Sequence, residues 1–178
     1  AASFLDRSKA QSRAFEEGLQ AENIPYRVYG GMRFFERAEI KDTLAYLRLV
    51  ANRSDDAAFE RAVNKPTRGI GGRTLDEVRR AARAGGVPLW DAAIAMSAGG
   101  PLAARARNAL RGFIDLIEAL ALELAEMTLA EQVDQVLLRS GLRVFYTSES
   151  RGSLDSRTDN LDELVSVASR FVRRDEND

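Results

Sequence analysis

The sequence predicts an α/β fold that is predominantly helical: a short parallel βαβ unit followed by a helical, bundle-like region. Three observations predict it. An apolar run, a helix-spaced segment and a β-rich run follow one another before Gly31. Beyond that point apolar residues recur every three or four positions. The apolar and charged shares, 45% and 30%, are those of a soluble globular chain.

The first element is the short apolar run "ASFLDR". Ala14, Phe15 and Leu19 then recur at helical spacing, and Pro25 opens a β-rich run that Gly30-Gly31 ends. Strand, helix and strand in this order read as a βαβ unit with parallel strands. No Gly-Lys-Ser/Thr follows Gly30-Gly31, so the pair reads as a plain turn and not as a P-loop. In "FFERAEIKDTLAYLRLVANR" the spacing predicts one helix, with Ile40, Leu44, Leu47 and Ala51 on its buried face and charges on the other. Phe34, Phe35 and Ile40 are expected in the core.

"SDDAAFERAVN" starts from a Ser54/Asp55 cap and is expected to stop at Pro66. "TLDEVRRAARAGG" opens with Thr74 and Glu77 at capping-box spacing and closes at Gly85-Gly86. Ser97 to Pro101 is the candidate boundary, giving units 1–98 and 99–178. After it Leu110, Phe113, Ile114, Ile117, Leu120, Ala121 and Leu124 form one helical stripe. Thr128 and Glu131 make a second capping box, and Val133, Val136 and Leu137 continue the apolar face. Ser148 to Asp159 read as a polar loop, and a last helix starts near Asn160, carrying Leu161, Leu164, Val165, Ala168 and Phe171.

Composition narrows the chemistry. With no cysteine there are no disulfides or thiolate metal sites, which fits a reducing compartment. With no histidine, imidazole base catalysis and the commonest metal ligand are gone too. The carboxylates read as solvated helix faces. No apolar run approaches the roughly 18 to 20 residues of a membrane span, and no leader is expected. Residues 1–100 hold 16 Lys and Arg against 13 Asp and Glu, and the remainder 10 against 14. A basic front and an acidic back suggest different partners.

"NKPTRGIGGRTLDE" carries the sharpest local signal. A helix, a Gly69-Ile70-Gly71 loop and a second helix have the layout of a helix-hairpin-helix. Glycines at 69 and 71 let backbone N–H groups approach a phosphate, and the following helix N-terminus adds partial positive charge. Ile70 would anchor the loop, while Thr67, Arg68 and Arg73 flank it with a hydroxyl and two cations. Such contacts hold a nucleic-acid backbone without reading bases.

From Arg7 to Val78 the chain resembles superfamily 1 DNA helicases of the UvrD/Rep/PcrA type, closest to the UvrD branch. The resemblance rests on Gln11-Ser12-Arg13, on Tyr29-Gly30-Gly31 through Phe34-Phe35-Glu36-Arg37 to Glu39-Ile40-Lys41-Asp42, and on Asn64 through Gly71. It extends more loosely after Pro101, through "RTDNLDELVSVASRF", and so covers nearly the whole chain. It implies that residues 1–98 are the first part of a second RecA-like motor domain, and 99–178 the N-terminal part of a helical accessory domain.

The resemblance also implies that Arg7 reaches the ATP γ-phosphate, in the manner of an arginine finger. Asp6 stands where the family usually has an adenine-stacking tyrosine, and Lys9 where it often has asparagine. The parent would use ATP and Mg²⁺. This chain shows no Walker A lysine and no acidic Mg²⁺ motif, so on its own it is expected to be inactive, with no bound cofactor and no metal. Its implied partners are a single-stranded/duplex DNA junction, the rest of the motor and repair proteins meeting the accessory domain, in the bacterial cytoplasm at the nucleoid, with no membrane. Two other readings stay open at this point. One is a non-catalytic module that binds DNA through the hairpin or a protein through its acidic half; the other is a helical scaffold whose arginines are merely solvated.

Overall fold

The computed structural model describes residues 33–149 and 157–175, with side chains over 34–149 and 157–170. The expected βαβ unit, with Gly30-Gly31, Asp6, Arg7 and Lys9, lies outside the described residues. The described residues are mostly helical and contain no strand.

Nine helices run in order through the described residues: α1 Arg33–Glu36, α2 Ala38–Ala51, α3 Asp56–Ala62, α4 Gly72–Gly85, α5 Leu89–Ala98, α6 Ala104–Glu123, α7 Leu129–Ser140, α8 Leu142–Glu149 and α9 Arg157–Asp175. A 3₁₀ turn, Leu124–Glu126, closes α6. Helix α2 is the hub, packed against α1, α3, α6, α7, α8 and α9. Helix α4 lies on α5, and α5 on α6. One cluster of buried side chains runs from Phe34 to Ala168, on both sides of Ser97–Pro101.

The caps explain several boundaries. Asp55 accepts from the Ala58 amide at 3.0 Å and starts α3 as its spacing predicts. Thr128 accepts from the Glu131 amide at 3.3 Å and caps α7, while the Glu131 carboxylate meets the Thr128 hydroxyl at 3.1 Å rather than its backbone N–H. Helix α4 ends at Gly86, whose φ of 61° is the left-handed conformation, and the Val87 amide reaches back to the Ala82 carbonyl at 3.0 Å. Asp56, on α3, accepts from the Leu89 amide at 2.9 Å and caps α5 from another helix.

Four expectations about element boundaries are corrected. The predicted helix over 34–53 is broken at Arg37, whose ψ of 138° is extended, giving α1 and α2. The first capping box does not form: Leu75 N–H bonds the Gly71 carbonyl at 3.1 Å, so α4 has already begun at Gly72 and Thr74 lies inside its first turn. The preceding helix, α3, ends at Ala62 rather than at Pro66. In the polar segment, α8 reaches Glu149 and α9 begins at Arg157, where a 2.7 Å bond joins Arg157 to Glu149.

The largest correction concerns charge. The reading of the carboxylates as solvated faces fails on α2, where Glu39 and Asp42 are buried. A hub helix leaves only a narrow exposed strip, which here includes Lys41 and Arg48, so polar groups elsewhere on it must find partners. Asp42 accepts from Arg61 Nε at 2.8 Å and from the Tyr146 hydroxyl. Glu39 accepts from Asn160 Nδ2 at 2.8 Å, and Thr43 returns its hydroxyl to the Glu39 carbonyl. Burial, then the hydrogen bond and charge of Asp42, push the Tyr146 hydroxyl well above its ordinary pKa.

Candidate nucleic-acid interface at the hairpin

The segment between α3 and α4 sits on a platform of aromatic rings. Ile70 is buried and pins its centre to the core. Gly69 has φ of 83°, which a side chain rarely adopts, and this allows the chain to turn from the loop toward α4. Asn64 Oδ1 accepts from the Arg68 amide at 3.0 Å and closes the loop from its start.

Tyr46, from α2, lies directly behind. Its hydroxyl donates to the Lys65 carbonyl at 2.5 Å and accepts from Arg68. Burial, opposed by the nearby Arg68 charge, pushes the Tyr46 pKa up to about 12, so the hydroxyl remains a donor at neutral pH.

Arg68 turns inward. Its guanidinium lies 5.1 Å from the Phe113 ring centroid and 5.9 Å from that of Tyr46. It also donates to the Lys65 carbonyl at 3.1 Å and to the Pro66 carbonyl at 3.3 Å. Lys65, though exposed, holds its ammonium 5.6 Å from the Phe145 ring. The cations that straddle Pro66 and Thr67 are therefore engaged by the protein itself.

What faces outward is different. Thr67, Gly69, Gly71 and Gly72 are exposed, and the Arg73 side chain is 95% exposed, with Glu77 3.8 Å away across a loose pair. Helix α4 has Gly71 as its N-cap, no side chain capping it and no acidic residue in its first turn. The amides of Gly72, Arg73 and Thr74 precede the first intrahelical bond and have no partner within the helix. An arginine in the first turn opposes the helix dipole by about 0.3–1 kcal/mol. A bound anion at that terminus would reverse the sign of that cost.

The structure thus brings Thr67, Arg68, Gly69, Ile70, Gly71 and Arg73 into one compact loop, while dividing their work. Arg68 and Ile70 hold the loop; Thr67, the glycine backbone and Arg73 present it. Arg7 lies outside the described residues. The sequence reading gave no site role to Tyr46 or Phe145, and named Asn64 only in the resemblance and Phe113 only in the apolar stripe. For Tyr46 the available signal was the run of polar groups Glu39, Asp42, Thr43 and Tyr46 within a helix otherwise rich in apolar residues.

Among the described residues no group of three or more carboxylates gathers as a metal site would. The described carboxylates do not fit a Mg²⁺ site. No helix among them is long and apolar enough to cross a membrane.

Residues 1–98 match the family model described as the UvrD-like helicase C-terminal domain. The chain is 53% identical to DNA helicase II of Escherichia coli (strain K12), over 98% of this chain and 24% of that protein. It is 52% identical to DNA helicase II of Haemophilus influenzae, over 96% of this chain and 24% of that protein. It is 37% identical to the ATP-dependent DNA helicase PcrA of Bacillus subtilis, over 97% of this chain and 23% of that protein. The chain therefore spans about a quarter of the length of these relatives.

Proposed function

Because the chain belongs to the UvrD-like helicase C-terminal domain family, we propose that it is part of an ATP-dependent 3′-to-5′ DNA helicase and supplies that enzyme with a clasp for the DNA phosphate backbone. The observation that carries the clasp is the uncapped, arginine-bearing start of α4, exposed beside a glycine loop that is fixed from behind. In this reading the backbone amides of Gly71 to Thr74 and the Thr67 hydroxyl meet phosphate oxygens. Arg73 adds charge, and Arg68 and Ile70 keep the loop in place.

In the same proposal residues 1–98 begin the second RecA-like motor domain and 99–178 begin its accessory domain; the family match, ending at residue 98, supports the division. ATP and Mg²⁺ act in the rest of the motor, which completes the site. The substrate is a single-stranded/duplex junction in the bacterial cytoplasm, at the nucleoid, where repair proteins would meet the accessory part.

The test is fluorescence anisotropy of the full-length protein on a duplex with a 3′ single-stranded tail, titrated across salt. Arg73→Ala is expected to lower the slope of log Kd against log salt by about one, the signature of one lost phosphate contact. An unchanged slope removes Arg73 from the interface. Arg7→Ala, in the same protein, is expected to lose most DNA-stimulated ATP turnover with its fold intact. Retained turnover with weakened DNA binding would move Arg7 from the nucleotide to the DNA.

A further inference from the structure

Helix α2 carries Glu39, Asp42 and Tyr46 at positions i, i+3 and i+7, all buried and all on one side. Each reaches a different element. Glu39 holds Asn160 on α9; Asp42 holds Arg61 on α3 and Tyr146 on α8; Tyr46 holds the Lys65 carbonyl and Arg68 in the hairpin. The circle then closes. Lys65 stacks on Phe145, whose ring meets that of Tyr146 edge to face at 5.0 Å, and Pro66 packs beside Gly141 at the α7–α8 corner.

The hairpin is thus held from two sides, by α2 directly and by α8. Asp42 fixes α8 in turn. We propose that Tyr46 and Tyr146 are positioning residues for the DNA contact of the hairpin: through Lys65, Arg68 and the Asp42 bridge, their hydroxyls set where Thr67 to Arg73 stand. Neither tyrosine touches DNA. This inference rests on the DNA-clasp reading of the hairpin.

A residue that only stabilises the core changes the melting temperature and leaves the Kd of the folded protein alone. A positioning residue changes the Kd well below the melting temperature. The experiment uses the full-length protein and the fluorescent 3′-tailed duplex, with Tyr46→Phe, Tyr146→Phe, Arg73→Ala and the two combinations of a tyrosine variant with Arg73→Ala. Each tyrosine variant is expected to raise Kd about three- to tenfold, the scale of one hydrogen bond. In the Arg73→Ala background that effect is expected to shrink to about twofold or less, because both changes act on one contact. Amide exchange of Gly69 and Gly71, measured without DNA, is expected to quicken in both tyrosine variants.

If Arg73→Ala weakens binding while the tyrosine variants move only the melting temperature, the positioning role is overturned and the clasp reading stands. If Arg73→Ala leaves binding unchanged, the clasp reading falls and this inference with it. Should one tyrosine variant fail to fold, the other carries the test. Unchanged exchange at Gly69 and Gly71 in a folded variant overturns the inference without reference to DNA.

Discussion

Phe113→Ala is expected to destabilise the protein by about 3–5 kcal/mol, the range for removing a fully buried aromatic ring. Phe113 is fully buried on α6 and meets Phe59 edge to face at 5.7 Å and Tyr46 at 6.3 Å. Three helices therefore lose a shared contact at once. The same ring lies beneath the Arg68 guanidinium, 5.1 Å from its centroid. Equilibrium denaturation should show the loss, and DNA affinity of the still-folded fraction should fall with it, because Arg68 would lose its seat. A loss under about 1 kcal/mol would mean that the surrounding side chains collapse into the space, against the packing described for α2, α3 and α6.

Asp42→Ala is expected to cost about 3 kcal/mol, near the lower end of the range for breaking a buried ion pair. Asp42 is fully buried and accepts from both Arg61 and Tyr146. Removing it takes the Asp42 acceptor from a buried phenol hydroxyl and the ion pair from one charged partner. The Arg61 side chain is 39% exposed, so its charge can turn toward water, and this keeps the cost from the top of the range. Denaturation of Asp42→Ala, and of the same change in a Tyr146→Phe background, measures it. The second change should cost markedly less in the double variant than alone, because its hydroxyl already lacks its acceptor. Full additivity would show that the bond contributes nothing.

Periodicity made much of this fold legible. The stripe from Leu110 to Leu124 is buried apart from the half-buried Ala121, and the Asp55 and Thr128 caps form where side-chain chemistry alone places them. On α2 the predicted stripe of Ile40, Leu44, Leu47 and Ala51 is buried as well, but a helical stripe tells which residues face one neighbour, not how many neighbours a helix has. Packed against several helices, α2 buries Glu39 and Asp42 along with Ile40 and Leu44 and leaves only a narrow exposed strip that includes Lys41 and Arg48. Thr74 misled for a related reason. Its spacing to Glu77 suits a cap, yet Gly71 offers the carbonyl that starts α4 three residues earlier. At the hairpin the sequence disclosed the glycines and the nearby cations. It did not disclose that Arg68 points inward, since the rings that receive it come from α2 and α6.

The reach of the α2 bridges has a consequence for the birth of the chain. Asp42 finds Tyr146 across 104 residues, and Glu39 finds Asn160 across 121. A ribosome adding about 5–20 residues each second takes roughly 5–25 s to make those partners once α2 itself has been made. Through that interval Glu39 has not met Asn160, Asp42 has Arg61 but not Tyr146, and the rings of Phe113 and then Phe145 arrive only late beneath the loop. The hairpin, early in the message, is among the last parts of this region to be finished.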